Sequence, residues 1–130
     1  MSFADFWEDE ILDHLFGKGS YSPPTIYVGL STADPLDDAS GLAEVSGNNY
    51  ARVQTAGGDW DVSSGGATAN ANAVTFPTAS GSWGTVSHIC LFDASSAGNL
   101  LASVALDSSQ AVTTDQIPRF SAGEIDVTLG

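Results

Sequence analysis

Beyond residue 20 the chain never sustains a helical repeat. Its apolar residues alternate instead in short runs, about 8 to 15 residues apart, separated by Gly, Ser, Asn, Asp and Pro. That pattern confines the fold to antiparallel strands joined by turns, because parallel strands need long crossovers and no helical segment is present to make them. The clearest case is VTFPTASGSWGTVSHICLFDASSAGNLLASVAL, residues 74–106, where strands are expected at 83–92 and 99–107 with DASSAGN as their loop. In TIYVGLS, residues 25–31, Ile26, Val28 and Leu30 point one way and Thr25, Tyr27 and Ser31 the other. Further strands are expected at 50–54, 73–77, 111–114 and 117–120, and in EIDVTL, where Ile125, Val127 and Leu129 alternate inward. Within the flexible stretch 56–72, Trp60 and Val62 are candidates for a short edge strand. About eight short strands describe a mainly β chain, an antiparallel β-sandwich or small barrel.

The exception is the N-terminus. Residues 2–17, SFADFWEDEILDHLFG, carry apolar residues at three and four spacing and acidic residues at the positive end of the expected helix dipole. Ser2 followed by Asp5 resembles a capping box, and Gly17 and Gly19 mark the stop. The chain therefore divides into an N-terminal amphipathic helix, 1–20, and an antiparallel β-domain, 21–130, joined by the stiff YSPP. The helix face is unusually aromatic. It either packs on the body of its own domain or docks on a neighbouring subunit or another protein, and Phe3, Phe6, Trp7, Ile11 and Leu15 are the candidate docking residues.

Charge excludes several classes of partner. Sixteen acidic residues face three basic ones, Lys18, Arg52 and Arg119, for a formal net charge of -13. Such a surface repels phosphate backbones and anionic membranes, so neither a nucleic acid nor a membrane is an expected partner. The acidity serves solubility, a basic partner surface or a saline environment. The lone Cys90 allows no intrachain disulfide. MSFADFWEDE shows neither a cationic leader nor a long apolar run, so synthesis in a cytoplasm without a signal peptide is expected.

Little in the sequence resembles catalytic chemistry. His14 is expected on the helix surface, and His88 and Cys90 share one strand face without a third partner for a triad. Asp34, Asp37 and Asp38 offer hard oxygen ligands for Ca²⁺, but TADPLDD lacks the alternating pattern with glycine of a calcium loop, so no metal is expected. Asp59 and Asp61 are weaker still, and no cofactor is implied. Trp60 and Trp83 are candidates for stacking on a sugar, although buried sheet aromatics are the commoner outcome. In so acidic a chain, Arg52 and Arg119 are expected to be held in structural ion pairs near strands, with Glu124 or Asp126 as partners. The irregular segment 32–49 is long enough to be functional or mobile rather than a mere connection.

Several stretches together carry a resemblance. ILDHLFG, IYVGLSTADP, EVSGNNYARV, VTFPTASGSWGTVSHICLFDA, GNLLASVAL and PRFSAGEIDVTL occur in an order similar to that of small phage virion proteins called phage tail fibre proteins. The most specific pieces are YVGLSTADP, GNNYARV, FPTASGSWGTVSH and FSAGEIDVTL, none of them a catalytic motif. The resemblance implies a non-enzymatic virion structural protein, tail fibre or tail-associated, that assembles with other virion proteins and as a homo-oligomer, with a trimer as the first expectation. Two alternatives stay open: a capsid decoration or cement protein, and a carbohydrate-binding receptor-recognition module.

Overall fold

The computed structural model describes residues 1–129. Its centre is a five-stranded antiparallel sheet of β1 (Ser2–Phe3), β7 (Leu100–Val112), β6 (Gly84–Phe92), β2 (Tyr27–Ser31) and β3 (Val53–Gln54), in that spatial order. Two small antiparallel ribbons complete it: β4 (Ala67–Ala69) with β9 (Asp126–Thr128), and β5 (Val74–Thr75) with β8 (Arg119–Phe120). The arrangement is sandwich-like, with no closed barrel.

Strand alternation gives the sheet two buried faces. Val28 and Leu30 of β2 pair with Leu91 and Ile89 of β6, and this side meets Val74, Phe76, Ile125 and Val127 of the ribbon layer in the main core. On the other side Cys90, Phe92, Leu100 and Ala4 form a second cluster, covered by Ala39 and Leu42 of the segment 32–49. That segment is tied down at both ends. Buried Ser31 donates to the Ala33 carbonyl at 2.7 Å and accepts from Ala43 N–H at 3.2 Å, while Val45 N–H donates to Leu30 O at 3.1 Å.

The hairpin forms as its sequence implies, with Phe92 opposite Leu100. Its second strand runs on to Val112 and takes in the first two residues of the separate strand expected at 111–114, while Thr113 and Thr114 lie outside it. A register shift allows this: His88 pairs with Ala105 but Val86 with Gln110, so residues 106–109 bulge out of the ladder. On its outer edge β7 pairs with β1 alone, at Ser103 and Ala102.

The N-terminus departs from expectation. The helix α1 spans Asp5–Leu15 with Ala4 at its N-cap and no side-chain cap bond. Ser2 and Phe3 instead join the sheet as β1, because ladder bonds to β7 satisfy more backbone groups than a capping serine. Among the described residues, no helix is long and apolar enough to cross a membrane.

Candidate assembly surface

The polar group that organises the fold is Arg52. Its Nε donates to Glu44 Oε2 at 2.7 Å and its Nη2 to Oε1 at 2.8 Å, a planar two-point grip. Nη1 donates to the carbonyls of Ala94 and Ala97 at 2.7 and 2.9 Å, which anchors the hairpin loop. The guanidinium carbon lies 3.5 Å from the centre of the Phe92 ring. Tyr50 Oη donates to Glu44 Oε2 at 2.8 Å and accepts from Leu30 N–H at 3.0 Å. Burial, and then the Glu44 carboxylate, raise the Tyr50 phenol far above its ordinary value. One cluster thus joins the 32–49 segment, β2, the approach to β3 and the tip of the hairpin.

Glycine makes this approach possible. A Cβ on Gly29 would lie 2.7 Å from Phe92 Cε2, 2.9 Å from Tyr50 Oη and 3.1 Å from Glu44 Oε2. The GNN turn midway between Glu44 and Arg52 has Gly47, Asn48 and Asn49 all at positive φ, which reverses the chain so that the two charges meet. The same turn clasps the next segment. Asn48 and Asn49 donate through Nδ2 to Ser82 O (2.7 Å) and Thr78 O (2.8 Å), and Trp83 Nε1 donates to Asn48 O (2.9 Å). A third clasp lies at buried Asn70, whose Oδ1 accepts from Ile125 N–H at 2.8 Å while its Nδ2 donates to Ser121 O at 2.9 Å. Three of the stretches that carry the resemblance, IYVGLSTADP, EVSGNNYARV and VTFPTASGSWGTVSHICLFDA, are therefore bonded to one another.

The other sites expected from sequence fall differently. Arg52 takes Glu44, rather than Glu124 or Asp126, as its partner. Arg119 and Glu124 do not pair: Arg119 Nη1 reaches Ser121 Oγ at 3.3 Å, and Glu124 Oε2 accepts from Ser121 N–H at 2.7 Å. The three carboxylates of TADPLDD diverge. Asp34 accepts from Leu36 N–H, Asp38 from Ser40 N–H, and Asp37 from the Ser2 hydroxyl, so each closes a different local contact. Among the described residues no three His, Cys, Asp or Glu side chains are placed to hold a metal.

Trp83 is a core residue, 4% exposed, packed edge-on against Tyr50 and Phe76. It offers no face to a sugar. Half-buried Trp60 donates from Nε1 to Thr55 Oγ1 at 2.9 Å and rests on the core. Cys90 is fully buried, and burial pushes its thiol up to about 12, which suppresses the thiolate. His88 Nδ1 is 2.8 Å from Ser87 Oγ, but Asp34 Oδ1 stands 3.9 Å from Nε2, beyond hydrogen-bond reach.

The helix face divides in two. Phe6, Trp7 and Ile11 are half-buried, with Phe6 and Trp7 packed on the main core. Phe3 lies in β1 rather than on the helix and stacks on Trp7 at 4.6 Å between ring centres. Of the five candidate docking residues only Leu15 is open, at 68% exposed; Leu12 and Phe16, at 52% and 75%, are open beside it. At helical spacing Glu8 and Asp9 neighbour Leu12, and Asp13 neighbours Phe16. The start of α1 meets the 32–49 segment, with Asp5 N–H donating to Asp37 O at 2.9 Å.

These features define a small, mainly antiparallel β protein with one half-docked helix. The family described as Podophage GP4 fiber I protein gp80 matches residues 2–128, and the chain belongs to that family. It is thereby a phage structural protein of fibre type. No curated protein matches it.

Proposed function

We propose that the protein is a non-enzymatic component of a phage tail fibre, carried in several copies on the virion and held there by other virion proteins. The observation that best supports this reading is the span of the family match, 127 of the chain's 130 residues. Loops suited to a fibre tip are the exposed end of the hairpin, 95–98, and the segment around Val62, which is 94% exposed. A homotrimer is the assembly to test first, and sedimentation equilibrium that reads a monomer would remove it.

Gold-labelled antibody against the protein, imaged on purified particles, tests the placement. Label on the tail is expected. Label over the head shell would replace the fibre reading by the decoration reading.

A further inference from the structure

The outer side of α1 is an apolar surface that none of the described residues covers. Leu12, Leu15 and Phe16, at i, i+3 and i+4, form a ridge one turn long and are 52%, 68% and 75% exposed. Beside it Met1, Phe3, Ile11 and Leu12 face Leu129 across a groove of about 420 Å³, and Leu129 is itself 60% exposed. Single exposed leucines are ordinary, but large apolar side chains contiguous along one element mark a contact surface.

Charge decides what covers it. Exposed Glu8, Asp9 and Asp13 border the ridge, and Asp5 and Glu10 add two more carboxylates to the same helix. A second copy of this chain cannot answer them. Of its 3 cations Arg52 is tied to one of the 16 carboxylates, Glu44, which leaves 2 cations, Lys18 and Arg119, against 15 carboxylates. Two copies meeting through α1 would set like charges against each other, and an anionic bilayer is repelled for the same reason.

We propose that the Leu12–Leu15–Phe16 ridge and its groove dock on a neighbouring virion protein whose contact surface is an apolar socket ringed by Lys and Arg. The proposal rests on the reading of this chain as a virion protein. Burial of the ridge supplies affinity, and the charged rim sets partner choice and orientation.

The test uses particles grown with the wild-type chain, Leu15→Ser/Phe16→Ser, or Asp9→Lys/Asp13→Lys. Copies per particle are counted by quantitative mass spectrometry, and the isolated proteins are compared for melting temperature and oligomeric state. All substituted positions are exposed, so both variants should melt close to wild type with unchanged oligomeric state. Both should incorporate at least about tenfold less, since burying two large side chains or reversing two rim charges carries that much affinity. About 1 M salt should release the wild-type protein from particles.

Three results would overturn the proposal. Equal incorporation of the Leu15→Ser/Phe16→Ser variant would show that the ridge makes no contact. Dissociation of that variant's oligomer would make a second copy the occupant. Loss in the Ser variant with full incorporation of the Lys variant would show an apolar partner without a basic rim. Absence of the wild-type protein from particles is a separate result, which removes the virion reading and this proposal with it.

Discussion

Arg52 and Glu44 grip each other through two hydrogen bonds, 2.7 and 2.8 Å long, with the guanidinium laid over Phe92. The Arg52 side chain is 4% exposed and that of Glu44 22%, so Arg52 is shut off from water and Glu44 is only partly hydrated if the other is lost. Arg52→Ala leaves Glu44 unpaired and the Ala94 and Ala97 carbonyls without their donor. A loss of about 3 kcal/mol is expected, read as a lower urea midpoint at unchanged slope. Arg52→Lys keeps the charge but not the fork, and should recover only part of that loss.

Gly29 gives a sharper test of the same cluster. Gly29→Ala drives a methyl to 2.7 Å from the Phe92 ring and 2.9 Å from the Tyr50 hydroxyl, and should cost about 1–3 kcal/mol. At Gly58 an added Cβ meets nothing within 4 Å, so Gly58→Ala should stay within about 0.5 kcal/mol of wild type. Equal thermal shifts for the two variants would contradict the packing described.

The Tyr50 phenol carries a pH signature. Its pKa is raised in the folded protein, by burial first and by Glu44 next, whereas the unfolded phenol ionises near about 10. The folded state therefore holds a proton that the unfolded state releases above that pH. The stability linked to the neutral phenol is complete below about pH 10 and falls as the pH rises beyond it. Denaturation at a series of alkaline pH values should show this decline, and Tyr50→Phe should flatten it while costing stability at neutral pH through the lost bonds to Glu44 and Leu30.

Cys90 should be chemically silent in the folded protein. With its thiol pushed up to about 12, the thiolate at pH 8 is on the order of one in ten thousand. A chromogenic disulfide reagent should label it only after denaturant is added. Prompt labelling of the native protein would contradict the burial of β6.

The hairpin and β2 were legible in the sequence because both alternate over several residues, and the structure keeps β6 and β7 within about one residue of the expected turn. The other elements depended on partners distant in sequence. Ser2 and Phe3 read as a first helical turn, yet pairing with Ser103 and Ala102 makes them a strand. Ala67–Ala69 lie in a stretch too rich in Gly, Ser and Asn to signal a strand, and form one by pairing with Asp126–Thr128. Arg52 stood out as a rare cation that needed a carboxylate. Its partner Glu44 lies in a segment without periodicity, and the GNN turn centred between them is the signal that the two meet. The carboxylates of TADPLDD and the tryptophans have one reason in common: composition counts ligand atoms and aromatic faces, while turn bonds and core packing decide which of them remain free.

The most direct test of the account is the number of copies of this protein in purified particles, measured by quantitative mass spectrometry against the major capsid protein. A fibre component predicts a small fixed number, far below that of the capsid protein. Near-equal abundance would contradict the fibre role and point to a coat on the head, and absence would contradict a structural role altogether.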